Sequence, residues 1–367
     1  MSVVIRLSPV TCVGSDLCRV MSLRRVVFAA MTPQRAIQKE SLALDGDASG
    51  GGKVMQPGDP AHACRLPKPR WRGVFTILMS PFGGDGSLSL GGLRAQVDFA
   101  RACGVQGVVF PGVASESYTL SDAERQRGVE AVVEQASGQL PVLAGVTASS
   151  GPHAAALARH AAQTGADGAM VMAPALLRLE DADLRAYFDS VAGASGLPLI
   201  LQSFTPPIGA PLSVAQITRL VCEVPNIRYV KQEVPPTPHN VSALLDLLGQ
   251  AIEGIFGGAG GLHALEELRR GACGTMPGVH LAPAAEAMWD AFIRGDDQLA
   301  SEVHRTILPA VNRSLLLGPR FAKSVLVRRG VLTSAATRVP SPHPNTHDDE
   351  ELERILKDLQ SYWPASE

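Results

Sequence analysis

Lys231 and Glu233 stand two apart in "IRYVKQE" (227–233), a β-branched and aromatic run that Pro235 and Pro236 end. With a period of two along a strand, Tyr229, Lys231 and Glu233 share one face, and Val230 and Gln232 share the other. An amine taken out of water is disfavoured as the ammonium. In its neutral form it attacks a ketone to give a Schiff base, and the protonated imine draws electrons from the adjacent carbon. A carboxylate within reach can then take the proton from that carbon. The competing reading is a partly exposed ion pair worth at most about 1 kcal/mol. The spacing by itself leaves both open.

These residues need a scaffold that holds them at one end of a strand. From about residue 72, short apolar runs alternate with amphipathic helical stretches. The strand candidates are "GVFTILMSP", "GVVFPG", "PVLAGV", "GAMVMAP", "LPLILQS", "IRYVKQE", "AIEGIFGG" and "GACGTMPG". Helix ends are marked by Ser121 and Glu124 as a capping box, Pro152 in a first turn, and Gly104, Gly165 and Gly271 as stops. Leu90, Leu93, Val97 and Phe99 give the first helix an apolar face. Eight strands, each followed by a helix, over about 200 residues predict an α/β protein, a (β/α)8 TIM barrel with its active site at the C-terminal strand ends. A doubly wound dinucleotide fold is disfavoured, because "LMSPFGGDGS" after the first strand has no G-x-G-x-x-G. The expected domains are an extension over 1–70, the barrel over 71–285 and C-terminal helices over 286–367, the last of them in "DDEELERILKDLQSYW".

The 367 residues are 46% hydrophobic with a formal charge of −2, which gives no electrostatic footprint for nucleic acid or a membrane surface. No apolar run reaches the roughly 18 residues of a spanning helix. The six cysteines form no CxxC pair, and "HPNTH" (343–347) lacks the glutamate of a zinc helix, so no metal site and no cofactor are expected. Between Met1 and Lys39 six basic residues face Asp16 alone, and "DGDASGGGK" follows as a linker. This suggests either a disordered extension or an organelle-targeting segment. The expected compartment is cytoplasmic, or an organelle if the segment is a targeting one. "GDASGGGKV" has neither the spacing nor the Ser/Thr of a phosphate loop.

Three stretches carry a family resemblance. "GVASESYTLSDAER" (112–125) resembles the carboxylate-binding loop after strand two of the dihydrodipicolinate synthase and N-acetylneuraminate lyase family. "LPLILQSFTPPIG" (197–209) is similar to its fifth strand and following loop, and "IRYVKQE" to its sixth. The resemblance implies that Lys231 forms an imine with a 2-keto acid. It also implies a homodimer or homotetramer. The departures from the family pattern lie in its proton relay. Gln202 and Leu176 stand where synthases carry tyrosines, Val113 where they carry a threonine, and Pro207 where an arginine would hold a semialdehyde carboxylate. Dihydrodipicolinate synthesis is therefore not expected.

Gln202 together with K-x-E on strand six is similar to the branch that dehydrates 2-keto-3-deoxy sugar acids, in particular 2-keto-3-deoxy-L-arabonate. "AIEG" (251–254), "AKSVLVRRGV" (322–331) and the P-x-P-H-P pattern (340–344) also resemble that branch, whereas "GGAGG" (257–261) lacks its acidic residues. The implied mechanism assigns the imine to Lys231, the C3 proton to Glu233 and positioning of substrate or departing water to Gln202. Ser115, Glu116, Ala114 and Gly257 are the expected substrate-binding positions, with the Ser115 hydroxyl and nearby amides on the carboxylate. Glu116 has a second reading as a brace of its loop. An aldolase that releases pyruvate through the same imine, and a keto-acid-binding barrel without catalysis, are the alternatives.

Overall fold

The structure is a computed structural model, and it describes residues 70–364 apart from 177 and 343. The expected N-terminal extension, except its last residue, and His343 lie outside the described residues. Eight parallel strands close into a barrel in sequence order. They are β1 (Gly73–Ile77), β2 (Gly107–Phe110), β3 (Val142–Gly145), β4 (Gly168–Met172), β5 (Leu199–Ser203), β6 (Ile227–Gln232), β7 (Gly254–Gly257) and β8 (Gly274–Thr275). All eight expected strands are present. The helices that follow them are α1 (Leu90–Ala102), α2 (Asp122–Ala136), α3 (Gly151–Thr164), α4 (Asp181–Ser195), α5 (Val214–Glu223), α6 (Thr237–Leu248), α7 (Ala264–Arg269) and α8 (Ala282–Ile293).

Alternation along the strands divides the core in two. Phe75, Ile77, Val109, Leu143, Met170, Ile200, Tyr229 and Phe256 point inward and form a cluster of their own. Val74, Val108, Ala144, Val171, Leu201, Val230 and Ile255 point outward, under the helices. Trp71 closes the bottom of the barrel, stacked on Tyr229 with ring centroids 5.0 Å apart. The Tyr229 hydroxyl accepts from the Trp71 amide and donates to the Glu253 carboxylate. Each such buried aromatic or aliphatic side chain contributes about 1.5–3 kcal/mol. The inner column of β6 therefore runs from Tyr229, in packed apolar core, up to Lys231 at the open end.

The end signals read in the sequence hold. Ser121 and Glu124 make a reciprocal capping box at α2, worth about 1 kcal/mol. Pro152 sits in the first turn of α3, and Gly165 ends that helix at φ 95°. The barrel extends past residue 285, because "APAAEAMWDAFI" is α8. That helix is apolar on most sides, packed against β1 inside and against the next helix outside. The C-terminal appendage then consists of α9 (Asp297–Leu317), α10 (Pro319–Arg328) and α11 (Thr346–Leu359). Between α10 and α11 an irregular strap, residues 331–342, crosses toward the open end of the barrel. No described helix is long and apolar enough to cross a membrane.

Candidate active site

Lys231 and Glu233 meet at the C-terminal end of β6, both with side chains almost fully buried. Lys231 Nζ lies 3.1 Å from Glu233 Oε2. Gln202, the register partner of Lys231 on β5, donates from Nε2 to the same oxygen at 2.6 Å. The other oxygen, Oε1, accepts from the Ala259 amide at 2.8 Å. β6 stays paired long enough to place Glu233 inside, since its amide still bonds Ser203 O at 3.0 Å. The carboxylate is thus fixed by three donors from three successive barrel segments.

The small "GGAGG" loop acquires a reason here. A Cβ on Gly258 would come 2.3 Å from Glu233 Oε1, and one on Gly257 would come 1.9 Å from Glu267 Oε2. Each glycine therefore leaves room for one carboxylate, on opposite faces of the chain leaving β7. Ala259 is held in the left-handed region at φ 50°, which turns its amide onto Glu233. Burial, with the Glu233 charge adding to it, pushes the Glu267 carboxyl up to about 7.

The pair stands at the base of a cavity of about 470 Å3. Val113 and Ala114 from the loop after β2 line it, and no hydrogen-bond partner within the described residues takes their amides. The remaining wall comes from Met79, Met276, the β5 loop at Phe204 and Ile208, the end of α9, and the strap at Val339–Pro342. His280 is part of this wall, almost wholly buried, and burial pushes its imidazole down to about 3. Its Nε2 is 2.9 Å from Ser314 Oγ, whose proton goes to Ala310 O. His280 is therefore the donor in that pair.

Of the expected site residues, Lys231, Glu233, Gln202 and Ala114 come together. Ser115 does not join them: its hydroxyl donates to Leu78 O and accepts from the Gly112 amide, which locks the loop from behind. Glu116 also faces away. Its backbone is left-handed at φ 55°, and one oxygen is 2.6 Å from Lys323 Nζ while the other accepts from the Arg338 and Val339 amides. The bracing reading of Glu116 is the one its geometry fits. Gly257 stands outside the cavity because its α-carbon faces Glu267. Sequence reasoning missed Tyr118, Phe204, His280, Ser314 and the strap. Tyr118 sat within a quoted motif, and the strap matched the P-x-P-H-P pattern, but nothing local marked the end of α9 as cavity wall.

A parallel (β/α)8 barrel with a buried lysine and carboxylate at its open end defines a class, and sequence comparison narrows it. The Dihydrodipicolinate synthetase family matches residues 70–359. The chain belongs to this family of lyases. It is 29% identical over 284 residues to an L-2-keto-3-deoxyarabonate dehydratase of Azospirillum brasilense, covering 76% of this chain and 92% of that one. It is 31% identical over 288 residues to a 4-hydroxy-tetrahydrodipicolinate synthase of Methanothrix thermoacetophila, covering 78% and 96%. Among solved structures, a dihydrodipicolinate synthase of Rhodopseudomonas palustris superposes with a TM-score of 0.73 at 26% identity, covering 80% of this chain and 99% of that one.

Proposed function

We propose that this protein is a hydro-lyase that dehydrates a 4-hydroxy-2-keto acid, of which the 2-keto-3-deoxy sugar acids are examples, through an imine on Lys231. The observation that carries the reading is the shared oxygen, Glu233 Oε2, which lies within reach of both Lys231 Nζ and Gln202 Nε2. In the first step a proton passes from Nζ to a base and the free amine attacks C2. Loss of the carbonyl oxygen as water leaves the protonated imine. The substrate carboxylate is held by the open amides of Val113 and Ala114, donors fixed in place before reaction.

Glu233 then removes a proton from C3 to give the enamine. The enamine electrons expel the C4 hydroxyl, and the protonated Glu233 returns that proton so that water leaves. Hydrolysis of the conjugated imine frees the lysine and the unsaturated keto acid. Gln202 keeps Glu233 aimed at C3 throughout. The positions where synthases of the family carry relay hydroxyls support elimination over synthesis, since Val113 and Gln202 stand there and Leu176 is 86% exposed. The likeness to the Azospirillum dehydratase supports the same reaction.

Borohydride reduction in the presence of pyruvate should add a covalent mass at Lys231, and Lys231→Ala should take none. No adduct with pyruvate or any larger 2-keto acid would sink the imine reading. Glu233→Gln should still trap pyruvate yet lose about 10²–10⁴-fold in elimination rate. Full elimination by that variant would remove the role given to the carboxylate. Pyruvate released from a 2-keto-3-deoxy acid would instead mark C3–C4 cleavage, the aldolase reaction. The protein is expected to act as a homodimer or homotetramer, which light scattering would test.

A further inference from the structure

The cavity above Lys231 and Glu233 has few polar side chains to offer beyond its base. Besides Lys231 and Glu233 no charged side chain lines it, and the polar side chains in its wall are Tyr118, Ser314, Ser341 and the buried, neutral His280. Ser314 gives its proton to Ala310 O and accepts from His280. His280 Nδ1 is buried without a partner and packs against Gly278, out of reach of solvent. Ser341 Oγ is 3.5 Å from Val339 O. The Tyr118 phenol is half exposed and sits at the rim. Against this stand Met79, Phe204, Ile208, Met276, Val311 and Leu315, which present apolar surface from four separate parts of the chain. Leu315 and its neighbour Leu316 are more than half exposed where they meet the opening.

A sugar acid reaching past C4 would place its distal hydroxyls against these walls. Each hydroxyl would give up its water without gaining a protein partner, which opposes binding. An alkyl or aryl substituent at the same position would instead cover apolar surface and release water. We infer that the substrate of this chain carries an apolar substituent at C4, so that it is a 4-hydroxy-2-keto acid with an alkyl or aryl tail and not a polyol. This rests on the imine-forming hydro-lyase reading and specifies its substrate class. The keto-acid end needs only Lys231 and the loop amides. Recognition of the tail falls to the β5 loop and the end of α9.

The experiment compares 4-hydroxy-2-oxo-4-phenylbutanoate with 2-keto-3-deoxy-L-arabonate in steady-state elimination, with borohydride trapping of pyruvate run alongside. Elimination from the aryl acid yields a conjugated product that is followed by its absorbance. The aryl acid should be favoured in kcat/KM by about tenfold or more, on the scale of a filled apolar subsite. Ile208→Asn, a half-buried loop position, should lower that ratio. An adduct with pyruvate together with equal or better turnover of the sugar acid would overturn the apolar-tail inference and spare the imine reading. A failure to trap pyruvate or any larger keto acid would overturn both.

Discussion

Gly258 and Glu233 depend on one another in a way that a substitution would expose. A methyl group at Gly258 would occupy the place of Glu233 Oε1, so Gly258→Ala must push the carboxylate off the Lys231 and Gln202 contacts. Displacements of about 1 Å at such a site cost on the order of 10²-fold. Steady-state kinetics should record that loss in kcat while circular dichroism and pyruvate trapping report an intact fold. Glu267, behind the same loop, has a consequence for stability. Its folded-state value of about 7 lies above the ordinary 4.5, so the folded protein holds a proton that the unfolded chain releases. Stability therefore falls as pH rises from 4.5 toward about 7. Glu267→Gln should flatten that fall in denaturant titrations across the window. Glu286, also pushed up to about 7 by burial, retains its own share in the variant.

At the scale of elements, the loop after β2 is fastened to α10 and the strap through a buried ion pair. Lys323 is fully buried. It donates to Glu116 and to Ala336 O, and stands 4.4 Å from the centre of the Phe82 ring. Burial pulls its ammonium down, and the Glu116 carboxylate acts against that shift. Removing one member strands the other charge in the core, at a cost of about 3–5 kcal/mol. Lys323→Ala should lose stability of that size in chemical denaturation. The double variant Glu116→Gln with Lys323→Met should recover much of it. If Glu116 instead touched substrate, its change alone would raise KM without moving the denaturation midpoint.

Across the whole molecule, the C-terminal strap joins the appendage to the mouth of the barrel. The Arg338 guanidinium lies 4.4 Å from the Phe82 ring centre and donates to Gly86 O, Thr119 O and the Glu124 carboxylate. The Arg338 bond holds the Glu124 carboxyl down at about 2, with burial opposing it. That contribution is present above pH 4.5 and is lost as pH falls toward 2. Arg338→Ala should lower stability at neutral pH and make acid unfolding shallower between these values. Because the same strap supplies Val339 to Pro342 to the cavity wall, KM should rise as well, and proteolysis should cut the strap sooner.

The amino-acid sequence by itself determined the barrel and the lysine. Strand and helix periods, capping residues and glycine stops are local, and "IRYVKQE" places Lys231 and Glu233 on one inward column whatever packs around it. It also carried Gln202, through the resemblance of "LPLILQSFTPPIG" and K-x-E to the fifth and sixth strands of the family. The roles of Ser115, Glu116 and Gly257 were decided only by tertiary structure. A hydroxyl, a carboxylate and a glycine acquire a direction from their partners, and those partners, Leu78, Lys323, Arg338 and Glu267, stand far away in the chain. The apolar cavity wall was hidden for the same reason. It is assembled from a β-strand loop that stands more than a hundred residues before the helix end and the strap it meets, and no window of sequence spans all three.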